Sequence, residues 1–229
     1  DEEWRTVEFR LIYKGPLPAE ARRPHPTEKH LIRRAFHKQL MELWKQQPEL
    51  RSQLTDSVLK TTTPPNLVSY PGPEVKEVIW AREGDPGAKP WVQWVADEYA
   101  RCGYRFVPLV REQNGFSCSL DVLFLRRDNP GSIVHSGGDI DNRIKVLFDA
   151  FRIVDNCTEL GKFAGLPPEP GEDPFFCLLE NDSLITEVKI TTDRLLVPLQ
   201  PGEDDNDVEL VIHVKLAEPG TLFHGNRLV

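Results

Sequence analysis

Three aspartates are the side chains of this sequence best placed to do chemistry. Asp139 and Asp141 are separated by one residue, and Asp182 lies downstream between two short apolar runs. Carboxylates that converge repel one another and raise each other's pKa unless a cation lies among them. Oxygen ligands of this kind favour Mg²⁺, with Mn²⁺ as its expected substitute, over zinc or copper. If the three side chains converge, the sequence predicts a magnesium site.

The two closely spaced aspartates stand at the start of a predicted helix, 140–152. Its apolar residues recur at helical spacing, and its charged residues fall on another face. The apolar set is Ile140, Ile144, Leu147, Phe148 and Phe151, and the charged set is Asp141, Lys145, Asp149 and Arg152. Two residues of a helix differ by about 200° in direction, so Asp139 reaches the ion beside Asp141 only from extended backbone. Gly137 and Gly138 permit this geometry.

A simpler interpretation of the same residues stays open. Asp139 would cap the helix, because a short oxygen-bearing side chain accepts hydrogen bonds from the first backbone amides. Asp141 would pair with Lys145 four residues later, which is the stabilising order on a helix. Asp182 would then be an ordinary turn residue.

The remaining pattern predicts the elements that must position these side chains. Alternating apolar residues indicate strands, and apolar residues at helical spacing indicate helices. The predicted strands are 4–13, 105–110, 117–126, 184–190 and 208–216, and the other predicted helices are 28–46 and 90–102. This order is typical of an α+β fold, with a mixed or antiparallel sheet of four to five strands and helices packed on one face. Strand 117–126 is expected to be buried on both faces.

We interpret residues 1–229 as one domain with two additions. A segment at about 50–104 is inserted, with a linker at 60–75, and a long loop rich in Gly, Pro and acids occupies about 155–176. No apolar run is long enough to cross a bilayer, and the start shows no signal-peptide pattern. The four cysteines include no C-x-x-C pair, which predicts reduced thiols and a cytoplasmic protein.

Charge is distributed unevenly along the chain. The net charge of −8 argues against a protein whose whole surface attracts nucleic acid, but it permits a local basic groove. Acids cluster at 203–209, and an early basic cluster on the outer face of helix 28–46 comprises Arg22, Arg23, Lys29, Arg33, Arg34 and Lys38. This cluster is either a solvated helix face or a phosphate contact. His30 and His37, on the same helix, are expected to be exposed.

Three tryptophans lie in the inserted segment, at Trp80, Trp91 and Trp94. Exposed indole rings can stack on the bases of single-stranded nucleic acid. A packed satellite core is the favoured interpretation, and stacking stays open.

Two motifs, which together comprise three separated parts, resemble the RusA family of Holliday junction resolvases. The run Gly138-Asp139-Ile140-Asp141-Asn142, followed by Lys145 and by Phe148-Asp149-Ala150, is similar to the family's D-x-D-N-x-x-K…D-A-L motif. The later run Leu179-Glu180-Asn181-Asp182-Ser183-Leu184-Ile185 resembles the family's strand-leading D-D-x-x-V element, with Asn181 in place of the first acid. The resemblance covers 117–216 well and 4–46 loosely.

The resemblance implies a Mg²⁺-dependent endodeoxyribonuclease that resolves Holliday junctions. It implies that Asp139, Asp141 and Asp182 hold the metal and that Lys145 acts with them in cleavage. Asn142 and Asp149 would support these ligands, and the enzyme would act as a homodimer on branched DNA. DNA contacts are expected from Arg22, Arg23, Arg33, Arg34, Lys38 and Arg143.

Two other functions stay open at this stage. A RusA-like chain with altered catalysis could serve as a module that binds protein or nucleic acid, with a protein partner docking on the inserted segments. A metal nuclease acting on RNA or on linear DNA would share the three acids but lack the preference for junctions.

Overall fold

The architecture is given by a computed structural model that describes residues 7–19, 24–62, 76–80, 85–127, 140–198 and 207–217. The helices are α1 (Pro26–Gln46), α2 (Pro48–Thr55), α3 (Trp91–Glu98) and α4 (Ile140–Phe151). The strands are β1 (Val7–Pro16), β2 (Ser57–Thr62), β3 (Lys76–Trp80), β4 (Lys89–Pro90), β5 (Ala100–Arg101), β6 (Tyr104–Val110), β7 (Ser117–Arg126), β8 (Phe175–Leu179), β9 (Ile185–Arg194) and β10 (Asp207–Ala217). The mixed α+β class is confirmed, with the described strands divided among three sheets rather than one.

The main sheet has four strands in the order β1–β10–β7–β9. β10 pairs antiparallel with both β1 and β7, whereas β7 and β9 run parallel. Parallel neighbours need a long connection, and here that connection contains α4 and β8. Alternate residues of β7 are buried, so the prediction that this strand is buried on both faces is wrong. The residues on its second face are only half-buried.

Helix α1 begins at Pro26, whose fixed φ suits the first turn, and it contacts α4, β1 and β8. Its apolar stripe repeats every four residues or so through Ile32, Phe36, Leu40 and Trp44, all of which are buried. Burial of this stripe fixes α1 across the core, and it brings the polar residues at the stripe's margin against α4.

The inserted segment forms α2, a small sheet in the order β3–β2–β4, and α3. Trp91 lies in the hydrophobic core, and the indole of Trp94 donates a hydrogen bond of 3.1 Å to the carbonyl of Val58. The packed-core interpretation is therefore confirmed for these two rings. Residues 60–62 belong to β2, which corrects the predicted linker, and its remainder at 63–75 lies outside the described residues.

Two further predictions about elements need correction. The predicted helix 90–102 ends at Glu98, because Cys102 and Gly103 take positive φ values of 56° and 82° and turn the chain into the β5–β6 pair. β8 was not predicted at all. It pairs parallel with β6, and all five of its residues are buried.

The cysteines divide into two kinds. Cys102 and Cys157 form a disulfide that ties the β5–β6 turn to the loop after α4, so the prediction of four reduced thiols is wrong. Cys118 and Cys177 are free and buried, and burial raises the pKa of each to about 12. No helix among the described residues is both long enough and apolar enough to cross a membrane.

Candidate active site on helix α4

Helix α4 is an amphipathic helix whose exposed side carries two of the predicted catalytic residues. Its inner side buries Ile144, Val146, Leu147, Ala150 and Phe151. Asp141 and Lys145 are exposed, and their spacing of four residues places them on the same face one turn apart. The described part of this segment begins with the helix at Ile140. Asp139, the first acid of the motif, and the two glycines before it lie outside the described residues.

The side chains of Asp141 and Lys145 form no ion pair or hydrogen bond within the described part of the chain. The simpler interpretation, in which these two residues pair with each other along the helix, is therefore not observed. An exposed carboxylate and an exposed ammonium group on one helix face remain available to an external partner. Asn142 is half-buried beside them, and its support of a ligand stays a prediction.

Asp182 begins a short 3₁₀ turn, Asp182–Leu184, that leads into β9. The amide oxygen of Asn181 accepts a hydrogen bond of 3.0 Å from the backbone of Ser183, which closes the turn. Its amide nitrogen donates to Oε1 of Glu112 at 2.8 Å. Oε2 of Glu180 accepts from the backbone nitrogen of Glu112 at 2.9 Å. Glu180 and Asn181 thus anchor the turn, and Asp182 is left exposed.

This anchoring explains the residue that departs from the family motif. Asn181 occupies the position of an acid in that motif, and here its side chain works as a tether rather than as a ligand. Sequence reasoning missed Glu112 as the other end of the tether, because Glu112 belongs to the turn after β6 and no local pattern connects the two. The anchored turn lies against α4, so the elements that carry Asp141 and Asp182 are neighbours.

The structure describes two of the three predicted metal ligands, Asp141 and Asp182. Over the ranges that the structure describes, no three His, Cys, Asp or Glu side chains form a group able to hold a metal ion. Asp141 and Asp182 are exposed, they form no ion pair with another described residue, and as hard oxygen donors they are of the kind that Mg²⁺ prefers. A complete set requires Asp139, and the three-acid cluster therefore stays a prediction.

Asp149 belongs to a brace between α4 and α1. Its carboxylate pairs with Lys29 at 2.6 Å and with Arg152 at 3.2 Å, and its backbone carbonyl accepts a hydrogen bond of 2.6 Å from Arg33. Among the described residues the carboxylate of Asp149 contacts these two cations, and its predicted support of the metal ligands stays a prediction. The brace holds the two helices in register.

Three of the six predicted DNA contacts, Arg33, Arg34 and Arg143, are used inside the protein. Arg33 is only 1% exposed and its guanidinium also donates to the carbonyl of Arg152 at 3.0 Å, whereas buried Arg143 donates to the carbonyl of Leu17. The prediction of DNA contact is wrong for both, because neither presents a surface to a phosphate. Arg34 pairs with Glu169 and Glu172 of the long loop, and Lys38 remains exposed. Arg22 and Arg23 lie outside the described residues.

The prediction that His30 and His37 are exposed is also wrong. Burial, with help from Arg33 and Arg34, lowers the pKa of His30 to about 3, so its ring is neutral. Nδ1 of His37 accepts a hydrogen bond of 2.9 Å from the backbone of Phe176, and its Nε2 lies 3.0 Å from the carbonyl of Gly171. Both rings stack against Phe175. They join α1 to β8 and the long loop and take no part in the candidate site.

Comparison with protein-family models, with curated proteins and with solved structures found no match for this chain. The resemblance to the RusA family therefore rests on the sequence pattern alone, chiefly on the motifs in 138–150 and 179–185. What it implies about activity is taken up as a proposal.

Proposed function

We propose that the chain is a Mg²⁺-dependent endonuclease that hydrolyses phosphodiester bonds in branched DNA, as its resemblance to RusA resolvases implies. One observation carries the proposal. Asp141 and Lys145 are exposed and unpaired in the described structure, on a helix whose other side is buried, and the anchored turn that presents Asp182 lies against that helix. A carboxylate, an ammonium group and a second carboxylate are thus offered to solvent by two neighbouring elements.

The residues take distinct roles in the proposed reaction. Asp141 and Asp182, with Asp139, would hold Mg²⁺, which when bound supplies an activated water and neutralises developing negative charge. The ammonium group of Lys145 would contact a non-bridging oxygen of the scissile phosphate and stabilise its extra charge in the transition state. The tether through Asn181 and Glu112 would hold Asp182 in place, because a carboxylate held in one position binds the metal ion better than a mobile one.

Two properties follow from the proposed substrate. Resolution of a four-way junction needs two symmetric cuts, so the active form would be a homodimer. Binding would be mainly to phosphates and to junction shape, and it would weaken steeply with salt. The cytoplasmic location stays a prediction, and the Cys102–Cys157 disulfide removes the argument from reduced thiols on which it was based.

A panel of nucleic acids with Mg²⁺ tests the proposal. We expect cleavage of a four-way DNA junction and little cleavage of linear duplex, single strands or RNA. Asp141→Asn, Asp182→Asn and Lys145→Met should each lower the rate by about 100-fold or more, since each removes charge stabilisation from the transition state. Asp56→Asn, an exposed acid after α2, is the matched control and should cut normally.

Each outcome of the panel has a definite meaning. Preferential cleavage of RNA or linear DNA would retain the metal site and reject the junction preference. Absence of cleavage on every substrate would reject the nuclease function. Equal rates for the wild type and the three site variants would assign the activity to other residues.

A further inference from the structure

The two edge strands of the main sheet, β1 and β9, differ in whether another group bonds to their outer backbone. At β1, the side chain of Gln39 closes the edge by accepting a hydrogen bond of 2.9 Å from the backbone nitrogen of Ile12 and donating one of 2.7 Å to its carbonyl. At the opposite edge, no strand of the described chain pairs with the outer side of β9. An open edge presents backbone donors and acceptors to another chain.

The side chains of β9 are also uncovered. Residues 186–189 are exposed on both faces of the strand. Val188 pairs with Leu120 of β7, which is 2% exposed, yet Val188 itself is 39% exposed. The core face of the sheet therefore continues onto β9, and Val188 is left there as an exposed apolar side chain at the edge.

We propose that β9 is the interface for a second copy of this chain, with the two β9 strands paired antiparallel about a two-fold axis at Val188. A two-fold axis perpendicular to the sheet keeps the core faces of both copies on the same side. Directly opposite residues then share a face. Val188 lies opposite Val188 of the second copy, and two apolar side chains that are exposed in one chain meet.

Charge selects this register. Glu187 and Lys189 point to the same face because they are two residues apart. With the axis at Val188, Glu187 lies opposite Lys189 of the second copy, and symmetry makes this pair twice. An axis one residue earlier places Glu187 opposite itself, and an axis one residue later places Lys189 opposite itself. Like charges directly opposite are destabilising, so the neighbouring registers are disfavoured.

The interface would link the two proposed active sites. The paired β9 strands would join the two main sheets into one continuous sheet across the axis. In the same register, Arg194 at the end of β9 comes alongside the turn that begins at Asp182 in the other copy. This part rests on the proposed function and gives the homodimer of that function a defined interface, with an added cation beside each site.

Sedimentation equilibrium without metal or DNA tests the interface. We expect a dimer for the wild type. Glu187→Lys and Lys189→Glu should each weaken the dimer by about tenfold or more, because each change places like charges opposite one another twice. An equimolar mixture of the two variants should recover the dimer, since each chain then supplies the charge that the other needs. Glu8→Lys on β1, at the edge that Gln39 closes, is the control and should not change association.

Lys189 also pairs with Asp121 at 2.8 Å, so the thermal stability of every variant is measured alongside association. A monomeric wild type would overturn the proposal. Lys189 would then be a charge that prevents other chains from pairing with the edge of β9. A dimer unchanged by both single variants, or a mixture that stays monomeric, would place the interface elsewhere. Because the assay contains no substrate, failure of the interface and failure of the nuclease function are separate results.

Discussion

Replacing Asp149 by asparagine separates a structural role from a role in the metal site. The side chain of Asp149 is 22% exposed and that of its partner Lys29 is 10% exposed, and the two lie 2.6 Å apart. The substitution keeps the shape of the side chain and one acceptor oxygen but removes the charge. Lys29 would then lose the carboxylate that lies 2.6 Å from its largely buried ammonium group, while Arg152 keeps its other acids, Asp155 and Glu159.

The magnitude follows from this geometry. A hydrogen bond to a charged group contributes about 1.5–3 kcal/mol, and removing one partner of a buried ion pair costs about 3–5 kcal/mol. Because both side chains retain some contact with water, we expect Asp149→Asn to lower the free energy of unfolding by about 2 kcal/mol. For a chain of this length that corresponds to a fall of about 4–8 °C in Tm.

Urea denaturation at neutral pH measures the effect, with two controls. Asp155→Asn removes a carboxylate that also pairs with Arg152 but is 66% exposed, and it should cost under about 1 kcal/mol. In a double-mutant cycle, Lys29→Met combined with Asp149→Asn should cost less than the two changes added together. The stabilisation of Asp149→Asn by Mg²⁺ should equal that of the wild type.

The opposite pattern would refute the reasoning. If Asp149→Asn left the free energy of unfolding unchanged but abolished stabilisation by Mg²⁺, Asp149 would serve the metal site, as the family motif implies. Additive costs in the cycle would show that Lys29 and Asp149 do not interact.

Two further predictions concern stability. Cys157→Ser opens a loop whose ends are 55 residues apart in sequence and should lower the free energy of unfolding by about 2–4 kcal/mol, with a similar loss for the wild type in reductant and no added loss for the variant. His30 has a pKa of about 3 in the folded chain against 6.5 in the unfolded chain, so the unfolded state binds more protons and stability falls as pH drops from about 6.5 towards 3. His30→Phe, which keeps an aromatic ring among Tyr104, Phe163 and Phe175, should lessen that loss in acid-denaturation curves, and an identical pH dependence would contradict it.

The long elements of the fold were predictable because their patterns are strong. β7 and β10 alternate buried and less buried residues along most of their length, and α1 and α4 repeat apolar residues at helical spacing. β8 escaped prediction because five consecutive apolar residues carry no period and follow a long polar loop. The strands of the insertion, β2, β3 and β4, have only six, five and two residues, which is too short for alternation to give a clear signal.

The candidate site was predictable only in its exposed residues. The spacing of Asp141 and Lys145 correctly placed both on one exposed face of α4. Periodicity tells which face a residue occupies but not which element packs there, so the burial of Arg33 against α4 could not be foreseen. The same limit applies to Asp149, whose partner Lys29 lies on α1, far away in sequence.

The position of a bound divalent ion tests the central claim most directly. Crystals grown with Mn²⁺, a substitute for Mg²⁺ that can be located by its anomalous scattering, would show where the ion lies. We predict one peak in contact with carboxylate oxygens of Asp139, Asp141 and Asp182, and its loss in Asp141→Asn. A peak bound by other residues, or none at saturating Mn²⁺, would contradict the assignment of these aspartates to a metal site and the nuclease function built on it.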